Sequence, residues 1–222
     1  MSQAKQIDLF ILGLIGLTLV LAVGIYLISP SYFSLQFAAE DGLVEYGTAV
    51  CLLMASIILL RNAVSLRGHA PKLAVGLTFF YAFMFFFGAG EEISWGQRIF
   101  GWETSEAMKE INRQDETTIH NIEIGGVALT KHLFGPVLTF TILLYLLVLP
   151  FAYPGVAKVK AMIDRIALPV PGKRHAALAL IGSIIIAVID VERKWEVYEL
   201  VFGLLVVSIF LMPQNPDKTR RL

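Results

Sequence analysis

Four stretches of this chain, 11–29, 43–60, 73–90 and 133–153, run for about 20 residues almost without charge, the length a helix needs to cross the hydrocarbon core of a bilayer. The third carries six of the fifteen phenylalanines. Two further runs, 175–190 and 196–212, hold fewer purely apolar residues and reach spanning length only with Asp190, Glu196 and Glu199 inside the helical ends. The pattern predicts an all-α, polytopic transmembrane helical bundle of about six helices forming a single membrane domain over 1–222, or a variant in which the last two form a re-entrant pair. Composition agrees: only 16% of residues are charged, against about 25% in a soluble domain.

Several functional classes fall away at once. Eighteen bases balance eighteen acids, so no basic footprint for nucleic acid exists. One cysteine, Cys51, excludes an internal disulfide and a cysteine-based zinc site. The first run is longer than the apolar core of a signal peptide and is read as a retained helix.

Basic residues set orientation. With the N-terminus cytoplasmic, twelve bases fall on the cytoplasmic side and six outside, so both termini are expected in the cytoplasm, as in a multi-pass protein of a bacterial inner (plasma) membrane. Fifteen of the eighteen acids then fall at or beyond the outer face. Acids contribute little to the orientation rule, so their asymmetry requires a separate cause. Segment 91–132 is the one sizeable extracytoplasmic loop. A short interfacial helix is expected over 105–112, N-capped by Thr104, with Trp95 and Trp102 at the membrane interface.

Three acidic clusters reach the outer face: Glu40-Asp41-Gly42-Leu43-Val44-Glu45, Glu91-Glu92 with Arg98, and Asp190 through Glu199. Glu45, Glu196 and Glu199 lie near helix N-termini, where the macrodipole favours an anion by about 0.3–1 kcal/mol, and capping alone could account for them. Glu91 and Glu92 sit at a helix C-terminal end, where the dipole opposes them and they repel each other. Arg98, seven residues beyond Glu91, would lie two turns along the same face of a continuous helix, so a structural ion pair is one reading. The sharper reading makes Glu91, Glu92, Arg98 and His120 a catalytic set, with a glutamate as general base and Arg98 binding an anionic head group.

His120 follows the polar stretch 112–116, where a hydrogen-bonded loop histidine is the plainer assignment. His69 and His175 fall on one side and His120 and His132 on the other, so no three-histidine zinc site can assemble, and H-E-x-x-H is absent. A divalent metal would have to be held by carboxylates, with Glu45, Glu92, Glu196 and Glu199 as the candidate ligands. Ser94 lacks a G-x-S-x-G setting, Ser183 reads as helix packing, and there is no phosphate-binding glycine loop.

The run Gly90-Glu91-Glu92-Ile93-Ser94-Trp95-Gly96-Gln97-Arg98 resembles a segment of uncharacterised bacterial multi-pass membrane proteins. In these an E-D-G-x-x-E element precedes it (Glu40 to Glu45) and an I-N-x-Q-x-E-x-x-x-H-N element follows (Ile111 to Asn121). The resemblance spans roughly residues 40–121 and implies a polytopic membrane protein without supplying an activity. The paired glutamates and arginine are more distantly similar to the E-E-x-x-x-R element of membrane-embedded glutamate proteases. Here, however, five residues separate Glu92 from Arg98, and the histidine motifs of those proteases are missing.

The resulting expectation is an integral membrane protein with an acidic outer pocket acting on a lipid-linked substrate among membrane lipids. The alternatives are cation- or proton-coupled transport and a membrane scaffold. Transport is disfavoured because the cores of the first, third and fourth runs carry no ionisable residue at the depth where transporters place them.

Overall fold

The computed structural model describes residues 2–112, 115–119, 122–124, 127–128, 135 and 137–220. Its principal helices are α1 (Gln3–Ile28), α2 (Leu43–Leu66), α3 (Lys72–Glu92), α4 (Thr139–Gly155), α5 (Ala157–Ile166), α6 (Lys173–Val188) and α7 (Lys194–Leu211). The only regular strands among the described residues are Glu123–Ile124 and Val127–Ala128, paired antiparallel in the loop before α4. Three helices, α1 to α3, are long and apolar enough to cross a membrane; α4 and α5 pass the same test as a pair bent by 113°.

The helices are longer than the apolar runs because polar residues extend their ends. Ser2 caps α1 by accepting from the Lys5 amide. Within α4, the segment Leu144–Val148 widens to a π-helix immediately before Pro150, which has no N–H to donate to the helical ladder. Gly155 then ends α4, and α5 turns away from its axis.

α7 occupies the centre of the bundle. It packs on α1, α2 and α6, and its residues from Val201 to Phe210 are almost continuously buried. The surrounding helices turn large apolar side chains outward, among them Val20, Ile57, Phe83, Val148 and Ile184. An apolar exterior around a fully enclosed helix is the arrangement expected of a bundle solvated by lipid.

Glycines permit the enclosure. A Cβ at Gly203 would lie 2.9 Å from Cys51 Cβ, and one at Gly47 would lie 3.1 Å from a Leu200 methyl. On the other side, a Cβ at Gly182 would meet Val201 at 3.4 Å. The α7 backbone is therefore gripped at close range from α2 and α6, as small residues allow between membrane helices.

Two sequence expectations are refined. Glu196 and Glu199 do lie inside α7, but Asp190 falls in the turn after α6. The helix expected over 105–112 is confined to Glu106–Lys109. Thr104 is not its cap and instead donates from Oγ1 to the Asp115 carbonyl at 2.5 Å.

Gly203→Ala is expected to destabilise the protein by about 1–3 kcal/mol, the usual cost of forcing an extra methyl into a filled interface. Gly24→Ala, with open space around its Cβ, should leave the melting temperature in detergent unchanged. Equal melting of the two variants would argue against the close α7–α2 contact.

Candidate functional site

The three acidic clusters converge at one end of the bundle, held together by two arginines. Arg98, in the short helix Gln97–Phe100, pairs with Glu116 at 2.7 Å, with Glu40 at 3.3 Å and with Asp41. Glu40 also binds Arg193, which reaches Glu196 at 3.1 Å. Glu45 accepts from the Asp41 amide at 2.6 Å, closing the turn into α2. Burial alone would lower the Arg98 pKa, but its hydrogen bond to Asp41 and the charges of Asp41, Glu116 and Glu40 outweigh it, and the net shift is upward. Arg193 follows the same logic through Glu40 and Glu196. Both guanidiniums are therefore fixed cations tying together the chain after α1, the end of α3, the outer loop and the start of α7.

Arg98 does not pair with Glu91 as a continuous helix would require. α3 ends at Glu92, and Ser94, Trp95 and Gly96 follow with φ of 47°, 55° and 81°. Two non-glycine residues in the left-handed region are costly, each by about 1–3 kcal/mol, and persist only where the surroundings fix them. Here Gly90 leaves the space: a Cβ there would lie 2.8 Å from the Trp95 ring. The indole packs edge-to-face on Phe87, with centroids 5.3 Å apart, and donates from Nε1 to Glu91 Oε1 at 2.7 Å.

Glu91 is buried, and its second oxygen accepts from the Ile119 amide at 2.7 Å. Gln97 Oε1 accepts from the Thr117 amide at 2.9 Å, and Asn112 Oδ1 accepts from the Glu116 amide at 3.2 Å while its Nδ2 donates to the Thr118 carbonyl at 2.9 Å. The G-E-E-I-S-W-G-Q-R segment and the following I-N-x-Q-x-E segment are thus two halves of one polar clasp. His120, His132 and Asn121 lie outside the described residues.

Glu92 takes a different direction, because successive helical residues point about 100° apart. It belongs with Glu199, whose charge environment consists of Glu92, Glu196 and Glu45, all of one sign. Glu199 lies in the second turn of α7 and is exposed. Among the described residues, no three of His, Cys, Asp and Glu are arranged to hold a metal ion. The quartet Glu45, Glu92, Glu196 and Glu199 therefore shares a neighbourhood without forming a ligand set: Glu45 is turned to a backbone amide and Glu196 to Arg193.

Sequence reasoning missed a second polar cluster at the far end of the bundle. Asp8 of α1 is fully buried, lies 2.7 Å from Arg174 and accepts from Ser208 Oγ at 2.6 Å. Ser208 is 3.0 Å from His175 Nε2, and His175 Nδ1 accepts from the Gly172 amide at 2.8 Å. That amide fixes the tautomer: Nδ1 is the acceptor, so Nε2 carries the proton and donates to Ser208. The proton order runs His to Ser to Asp, opposite to a hydrolytic triad, in which histidine takes the serine proton. The cluster is an interhelical tie among α1, α6 and α7. The nearest sequence signal was an aspartate six residues into an apolar helix.

No known protein family, curated protein or solved structure matches this chain.

Trp95→Phe removes the donor to buried Glu91 and is expected to cost about 1–3 kcal/mol, the desolvation penalty of an acceptor left unmade. Arg98→Gln should cost a similar amount, its partial exposure keeping it below the value for a fully buried pair. Chemical denaturation of both variants in detergent tests this. Wild-type stability in Arg98→Gln would contradict its role as the clasp's centre.

Proposed function

We propose that this chain is a six-span protein of the bacterial inner membrane, with both termini cytoplasmic and its acidic end facing outward. At that end Glu92 and Glu199 perform acid–base chemistry on a lipid-linked or membrane-partitioned substrate. The observation that carries this reading is Glu199 itself: an accessible carboxylate on the central helix, acted on by three other carboxylates. Such a group is a proton carrier placed where a lipid-borne bond could enter between helices. Glu91 and Arg98 act as positioning residues, because their polar atoms are engaged in the clasp.

In a hydrolytic step, one carboxylate of the pair takes a proton from water as the oxygen attacks the scissile centre. The other, protonated, gives its proton to the leaving oxygen. Positioned acid–base groups of this kind contribute about 10²–10⁴-fold. The membrane part of this reading is supported by three helices long and apolar enough to span, a fourth span if α4 and α5 act as one, and by the apolar exterior of the outer helices.

A proton- or cation-coupled transport role uses the same carboxylates, and the single sign of the charges acting on Glu199 is the observation in its favour. The two readings separate experimentally. Wild type, Glu92→Gln and Glu199→Gln are reconstituted in nanodiscs with a total inner-membrane lipid extract, and the lipids are analysed by mass spectrometry. The enzyme reading expects a hydrolysed lipid species in the wild-type sample, reduced at least a hundredfold in both variants at unchanged melting temperature. Equal conversion by all three proteins would remove it. Proton flux in proteoliposomes that is abolished by Glu199→Gln, without lipid conversion, would install the transport reading.

A further inference from the structure

Some bases are neutralised at both ends of the bundle, Arg174 by Asp8 and Lys218 by Asp217 at the end away from the acidic clusters. At the acidic end, Arg98 and Arg193 bind carboxylates, and Lys109 pairs with Glu106. At the opposite end, Lys158 and Arg165 of α5 and Lys173 of α6 have no carboxylate within ion-pair distance among the described residues, although Lys160 beside them folds back onto Asp164 at 2.5 Å.

These three bases sit where the lipid-facing surface stops. The exposed side of α4 runs through Leu144, Val148 and Phe151 and meets exposed Val156 at the bend. Lys173 Nζ lies 6.0 Å from the centre of the Phe151 ring. Past the bend, α5 packs Ile163, Val159 and Ile166 inward on Tyr153 and Val170. An adjoining exposed face carries Lys158, Met162 and Arg165, at the spacing that places residues on one side of a helix. Met162 is 58% exposed. An apolar side chain flanked by unneutralised bases, continuous with an apolar exterior, matches the boundary between acyl chains and anionic headgroups.

We propose that the outer face of α5, with Lys173, is a binding surface for anionic phospholipid headgroups, Lys158, Arg165 and Lys173 meeting the phosphates and Met162 and Val156 meeting the first acyl carbons. The proposal rests on the membrane reading above, and the test separates the two. In a Cys51→Ala background, a fluorophore is attached to Met162→Cys or, at mid-span, to Ile57→Cys in the full chain. Each protein is reconstituted in phosphatidylcholine vesicles containing trace phosphatidylglycerol or phosphatidylcholine brominated both near the headgroup end and near the middle of the acyl chains.

The expected result is quenching at position 57 by both brominated lipids alike and, at position 162, several-fold stronger quenching by the phosphatidylglycerol. Each base near an anionic surface is worth roughly a fivefold preference, so Lys158→Gln/Arg165→Gln/Lys173→Gln should erase the difference. Equal quenching by the two lipids at position 162, a preference that survives the triple variant, or quenching at 57 with none at 162 would each overturn the proposal while leaving the membrane reading intact. Absence of quenching at both positions would overturn the membrane reading and the proposal with it.

Discussion

The close approach of α7 to its neighbours is the constraint on which the other features depend. Gly203 against Cys51, and Gly47 and Gly182 against Leu200 and Val201, let α2 and α6 close on α7 without a layer of large side chains between backbones. Lipid offers no hydrophobic drive for one apolar helix to bury itself among others, so dispersion at such contacts must supply it, with polar ties at the ends. The ends of α7 carry those ties. Arg193 and Glu196 join the clasp around Glu40 and Arg98, and Ser208 joins Asp8 and His175.

The sequence was informative about what lies along each helix and much less about which helix meets which. α1 to α4 follow from apolar length alone. The central position of α7 does not, because its first turns carry Lys194, Glu196 and Glu199. Only its almost continuous burial past Val201 shows that this stretch is enclosed by the other helices. The three acidic motifs were recognisable as one constellation, but their pairing was not: linear spacing suggested Glu91 with Arg98, and the reversal of φ over Ser94, Trp95 and Gly96 carries Arg98 away to Glu40, Asp41 and Glu116. A Trp in a left-handed conformation is not predictable from local preference; it is fixed by the bare face of Gly90 and by Glu91 as acceptor. The Asp8 tie stayed hidden because its partners are 166 and 200 residues away in sequence.

The division between Glu91 and Glu92 follows from helical geometry. Adjacent carboxylates on a helix diverge by about 100°, so one end of α3 can serve two unlike environments. Glu91 turns toward the loop, where an indole N–H and a backbone amide neutralise it. Glu92 turns toward α7 and Glu199. The electrostatic difficulty that marks the pair in the sequence is thus resolved for Glu91 by hydrogen bonds. Removing both charges together would mix loss of the clasp with any effect at Glu92. Glu91→Gln alone should act on stability through its two donors. α3 ends directly after the pair, and the left-handed turn at Ser94 is what carries Trp95 back to Glu91 and frees Arg98 for the acids of the other segments.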